Sequence, residues 1–184
     1  MQNTRKDYSR EFSSLLTQED DGDYVLSRTN FLGYESKMVG LSDEFDHLRE
    51  KVVRRISVEV DHQHFLLSGM AGIGKTTLAK RIFQVPSVSN QFDLRLWVPI
   101  GSRYRLEEIL RCIMGQVSGD RETLPERGLA EFVSGKLKSK SYLVVLDDIK
   151  VHQVWYELKK LFPDNKNGSQ VLVTTTTGKI ILSS

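Results

Sequence analysis

Cysteine is nearly missing from this chain. Among 184 residues only Cys112 is present, which excludes an internal disulfide and fits a reducing compartment. Its neighbours Ile109, Leu110 and Ile113 predict a buried, inert thiol. An excess of charge is missing too: 26 Lys+Arg against 24 Asp+Glu leave a formal net charge of +2. Nucleic-acid binding usually needs a concentrated basic surface, so no nucleic-acid partner is expected. Long apolar runs are missing as well. No stretch approaches the roughly 20 apolar residues of a membrane span, and the opening Met1-Gln2-Asn3-Thr4-Arg5-Lys6-Asp7 has no apolar segment of signal-peptide length. The expectation is a soluble, cytoplasmic protein without a membrane span. There is no internal repeat and no low-complexity tract. With 39% hydrophobic and 27% charged residues, the composition is globular and the length suits one domain.

Residues 1–37 are rich in Ser, Asp, Glu and Arg and include the acidic run Glu19-Asp20-Asp21-Gly22-Asp23, which reads as a flexible linker. From residue 38 to 184 the pattern tightens. Ser42 is placed to cap a helix whose stripe is Leu41, Phe45, Leu48 and Val52, with Asp43 and Glu44 near its positive end. Short apolar runs predict strands at Phe65–Leu67, Leu94–Ile100, Tyr142–Leu146 and Gln170–Thr174. Helical stripes lie between them: Leu78 to Phe83, Ile109 to Val117, Leu129 to Leu137, and Val151 to Leu161 before Pro163. Continuous apolar strands alternating with helices predict an α/β fold, a parallel sheet flanked by helices in three layers.

Gly69-Met70-Ala71-Gly72-Ile73-Gly74-Lys75-Thr76 matches G-x-x-x-x-G-K-[ST]. Gly69, Gly72 and Gly74 let the backbone curl so that its amides, including those of Ile73 and Thr77, approach phosphate oxygens. A helix starting near Lys75 directs its positive end at the same anion. Lys75 adds a full charge for the terminal phosphates, and the Thr76 hydroxyl is placed to ligate Mg²⁺. By chance such a match arises in roughly one chain per 150 to 200 of this length. A strand before and a helix after make a plain glycine turn a still poorer explanation. An acid at the end of a neighbouring buried strand should complete the metal site, and Leu143-Val144-Val145-Leu146-Asp147-Asp148 supplies it. Asp147 is the candidate for Mg²⁺, and Asp148 for orienting or activating water as a catalytic group. Without the loop, the same Asp pair reads equally well as a helix cap. Asn165-Lys166-Asn167-Gly168 is similar to the guanine-reading N-K-x-D, but Gly168 stands where Asp is required, so the segment reads as a turn and adenine is preferred. His62 and His64 share a strand face but lack a third ligand, and read as surface histidines. Phe92 and Trp97 read as core, and Arg54-Arg55 as an exposed helix face.

Five segments in order resemble the NB-ARC nucleotide-binding domain of plant NLR disease-resistance proteins of the coiled-coil class. They are Val39-Gly40-Leu41 ahead of the loop, Gly69 through Ala79, Phe92-Asp93-Leu94-Arg95-Leu96-Trp97-Val98, Leu146-Asp147-Asp148-Ile149, and Gly168-Ser169-Gln170-Val171-Leu172-Val173-Thr174-Thr175. They span residues 38 to about 176, and the third and fifth are much more specific than the loop. The resemblance implies a P-loop NTPase fold and a switch that holds ADP at rest and ATP when active, with Val39 in the nucleotide site. It also implies at most slow ATP hydrolysis, a role in pathogen defence, and association with other NLR domains or with itself. Three positions depart from the family: Ala71 replaces a common Gly, Lys150 stands where Trp is frequent, and Thr176 stands where an Arg senses the terminal phosphate. The segments that follow in the family, including Gly-Leu-Pro-Leu and Met-His-Asp, are not found. This gives the expectation of a fold incomplete at its C-terminus, as from a gene fragment, with the Phe65–Leu67 strand left at a sheet edge.

The residues leave other readings open: an ordinary P-loop kinase or ATPase, a degenerate scaffold or decoy that binds protein partners, and a prokaryotic regulator of the same superfamily.

Overall fold

A computed structural model of the chain describes residues 40–56, 63–118 and 126–177. The linker 1–37, Val39 and His62 lie outside the described residues. The elements in order are α1 (Ser42–Ile56), β1 (Gln63–Ser68), α2 (Lys75–Gln84), α3 (Pro86–Ser89), β2 (Leu94–Pro99), α4 (Leu106–Ser118), α5 (Glu126–Leu137), β3 (Tyr142–Ile149), α6 (His152–Leu158) with a 3₁₀ turn (Lys159–Leu161), and β4 (Gln170–Thr175).

The strands form one parallel sheet in the order β1-β4-β3-β2. Alternate side chains of each strand enter different cores, as the pleat requires. Val144 and Leu146 of β3, Val171 and Val173 of β4, and Leu96 and Val98 of β2 face the core built with α4, α5 and α6. Leu143, Val145, Leu172 and Trp97 face the opposite core with Leu48 and Val52 of α1 and Leu78, Ala79 and Ile82 of α2. Burial on both sides is why these strands read as continuous apolar runs. The three-layer α/β expectation holds, and within the described residues β1 is an edge strand as expected.

At the other edge, Gln116 of α4 acts as a substitute strand. Its Oε1 accepts from Trp97 N and its Nε2 donates to Trp97 O, both at 2.9 Å, which satisfies backbone groups that would otherwise face outward. Gln170 Nε2 donates to Val52 O at 3.0 Å and ties α1 to the sheet. Asp93 and Ser141 clamp the starts of β2 and β3. The Asp93 carboxylate accepts from Ser141 N and Oγ, both at 2.8 Å, and these bonds hold it below the usual carboxylate range.

Several local expectations change. Ser42 is the first helical residue and not the cap, because Phe45 N already donates to Leu41 O at 3.0 Å. The helix at Pro86–Ser89 is too short to show a period in sequence, and is started by Pro at its first position. β3 runs on through both aspartates to Ile149, with a register shift between Leu146 and Ile149. The stripe from Val151 to Leu161 is an α-helix only to Leu158 and tightens into the 3₁₀ turn before Pro163. Phe92 and Trp97 are buried as expected, with Trp97 edge-on to Phe83 at 5.6 Å. Cys112 is buried, and burial pushes its thiol upward, away from the reactive thiolate. Arg54 lies exposed against Glu50 at 2.6 Å.

Candidate nucleotide-binding site

The C-terminal ends of all four strands meet at one end of the sheet, where open α/β folds place their ligands. The loop from Gly69 to Gly74 leaves β1 there and opens α2 at Lys75. Gly74 takes φ +97°, a left-handed conformation that side chains disfavour. A Cβ at this position would also stand 2.7 Å from Leu41 Cδ1, so the end of the Leu41 side chain would have to shift to admit one. Gly74 gives no side-chain cap, and the first turn of α2 carries no acid. The positive end of the helix is therefore left for an external anion. Lys75 Nζ donates to Gly69 O and Met70 O, both at 2.7 Å, which lays the ammonium across the loop.

Below the loop a hydroxyl cluster closes on Asp147. Thr76 Oγ1 donates to Asp147 Oδ1 at 2.8 Å, and Thr174 Oγ1 donates to the same oxygen at 2.6 Å. Thr174 Oγ1 also accepts from Asp148 N at 2.8 Å. β4 lies between β1 and β3, so a β4 side chain is the natural bridge from the loop to the acid. Asp148 sits at φ 66°, within the β3 irregularity, a conformation that Asp tolerates better than most residues. Its carboxylate lies 3.5 Å from Lys150 Nζ. The next helix, α6, is capped by Val151 without any side-chain bond, so neither aspartate is used as a cap. On α2, burial lowers the Lys80 ammonium below the usual lysine range, with the Asp147 charge pulling the other way.

Two clefts flank the loop. One, of about 500 Å³, is lined by Gly72, Gly74, Lys75, Thr76, Thr77, Asp147, Asp148, Lys150, Thr174 and Thr176, with Ala71 and Pro99. The other, of about 570 Å³, shares Lys75 and is walled largely by apolar groups: Leu41, Leu48, Phe65, Leu67, Ile73 and Leu78. Both volumes fall in the usual range of ligand sites.

The structure thus brings together Gly72, Ile73, Gly74, Lys75, Thr76, Thr77, Asp147 and Asp148 around the loop. Sequence reasoning missed Thr174 and the packing of Leu41 on Gly74. A threonine at the end of a buried strand is ordinary on β-propensity grounds and gave no separate signal. Asn165–Gly168 is a structural turn at the opposite end of β4, and Asn165 Nδ2 donates to Leu137 O at 2.7 Å and Lys140 O at 3.1 Å. His64 packs edge-on against Trp155 at 4.8 Å.

Replacing Gly74 by Ala is expected to destabilise the protein by about 1–3 kcal/mol, chiefly through backbone strain at φ +97°, with the end of Leu41 moving aside. Urea denaturation measures this, and equal midpoints for variant and parent would contradict the conformation described.

A phosphate loop between a parallel strand and a helix, facing an acid at the end of a second strand, defines a P-loop nucleotide-binding domain. The profile of the NB-ARC domain matches residues 45–181, and the chain belongs to the NB-ARC family. It is 34% identical over 159 residues to disease resistance protein RPP13 of Arabidopsis thaliana, covering 82% of this chain and 19% of that protein. It is 32% identical over 176 residues to disease resistance protein RPM1 of the same plant, covering 89% of this chain and 19% of that protein. The chain therefore spans about a fifth of the length of these relatives. The Aeropyrum pernix ORC2 protein, solved in ADPNP–ADP complexes, shares the fold, with a TM-score of 0.54 at 16% identity over 80% of this chain and 43% of that one. Among the described residues no helix is long and apolar enough to cross a membrane.

Proposed function

We propose that this domain binds ADP and ATP with Mg²⁺ as the switch module of a plant immune receptor of the coiled-coil NLR class, acting in the cytoplasm. The observation that carries the nucleotide reading is the Thr76–Asp147–Thr174 cluster beneath the Lys75 loop, 2.8 Å and 2.6 Å across its two bonds. Hydroxyl and carboxylate oxygens this close together suit a hard divalent cation. Thr76 and Asp147 would hold Mg²⁺, which supplies charge neutralisation between the outer phosphates. The loop amides from Gly69 to Thr77 and the Lys75 ammonium bind the phosphates. The apolar cleft beside Leu41 and Ile73 takes the base. In this reading Asp148 orients water for slow ATP hydrolysis. The Asn165–Gly168 turn sits at the wrong end of the sheet to read guanine, which favours adenine. The relatives' role in disease resistance, and their length beyond this domain, support a switch that acts on other NLR domains or on a second copy.

Thermal unfolding with and without Mg²⁺-ADP tests the reading. A ligand bound only by the folded state adds about 2.7 kcal/mol of stability at a hundred times its dissociation constant. The expected result is a rise in melting temperature with ADP and none with GDP. A cooperative melt indifferent to ADP would sink the proposal.

A further inference from the structure

Lys75 and Lys150 are the cationic side chains among the residues that line the phosphate cleft, where they face Asp147 and Asp148. They are held very differently. Lys75 is tied to two loop carbonyls at 2.7 Å on the β1–α2 side. Lys150 follows the end of β3, and its ammonium lies 3.5 Å from Asp148 Oδ2, longer than the about 2.7–2.9 Å of a strong charge-assisted bond. Both side chains of that pair are partly open, at 40% and 33% exposure, so solvent weakens their attraction. The left-handed backbone of Asp148, pinned through its N–H to Thr174, presents this loose pair to the cleft. Thr176, on the same wall, is neutral and short.

Phosphates seated on the loop amides and Lys75 would extend toward the β3–β4 wall of the same cleft, which Asp147, Asp148, Lys150 and Thr174 line. An added phosphoryl group brings negative charge to that wall, already acidic through Asp147 and Asp148. From this arrangement we infer that Lys150 is the residue that distinguishes a nucleoside triphosphate from a diphosphate. Its ammonium leaves Asp148 and takes an oxygen of the third phosphoryl group, and with a diphosphate it stays on Asp148. This inference rests on the nucleotide reading above.

Titration calorimetry of the 184-residue chain with Mg²⁺-ADP and with a non-hydrolysable Mg²⁺-ATP analogue tests it, using the parent, Lys150→Gln and Lys150→Arg. Lys150→Gln should weaken the triphosphate analogue about tenfold and ADP by less than about threefold, and Lys150→Arg should restore most of the difference. The partly exposed pair contributes little to folding, so the nucleotide-free melt of Lys150→Gln should match the parent. An unchanged ratio of the two affinities in Lys150→Gln overturns the role of Lys150 while leaving the nucleotide reading intact. A parent that binds neither nucleotide overturns both.

Discussion

Lys75→Ala is expected to lose the nucleotide-dependent rise in melting temperature while its nucleotide-free melt stays close to that of the parent. The reason lies in how the side chain is used. Its bonds go to Met70 O, which is exposed, and to Gly69 O, which is partly buried, so water replaces them at modest cost. Against a polyphosphate the same ammonium would make charge-assisted bonds at the end of a helix whose cap is Gly74 and whose first turn has no acid. Removing it leaves phosphate charge partly uncompensated in the cleft. A loss of affinity of at least about a hundredfold, or about 2.7 kcal/mol, is expected. Thermal shift against Mg²⁺-ADP concentration reads this directly. A variant that shifts as strongly as the parent would mean that the nucleotide sits elsewhere.

The second large effect concerns the platform beneath the site. Trp155→Ala should cost about 3–5 kcal/mol of unfolding free energy, the range for emptying a buried aromatic site. Trp155 is 1% exposed and is among the largest fully buried side chains among the described residues. It joins the core that carries the β3 and β4 strands, and its ring meets His64 of β1 edge-on at 4.8 Å. A cavity there removes support from the strands whose ends carry the loop and Asp147. For a domain whose whole stability is of order 5–15 kcal/mol, the loss is a large fraction. Trp155→Phe, which keeps most of the volume, should lose clearly less. Chemical denaturation followed by circular dichroism separates the two, and a loss under about 1 kcal/mol for Trp155→Ala would contradict the packing.

The site was legible where its chemistry is local. The glycine spacing of 69–74, Lys75 and Thr76 are consecutive, and the backbone conformation and the helix start they encode depend on near neighbours. Asp147 could be picked out because a carboxylate ending an apolar strand is unusual beside a phosphate loop. Thr174 could not, because its value comes from strand order and not from its surroundings in sequence. The 3₁₀ turn at Lys159–Leu161 and the extension of β3 to Ile149 were hidden for a related reason. Both depend on what packs against them.

The sequence by itself determined the α/β alternation, the phosphate loop and the candidate acid, since periodicity, glycine conformation and charge are properties of short segments. The tertiary structure alone decided that β4 lies between β1 and β3, so that hydroxyls 71 and 27 residues from Asp147 in sequence converge on one of its oxygens. It alone placed Leu41 on Gly74 and Lys150 in the cleft that Lys75 lines. Those contacts require the register of parallel strands joined by long crossovers, and that register is set by burying both faces of the sheet at once.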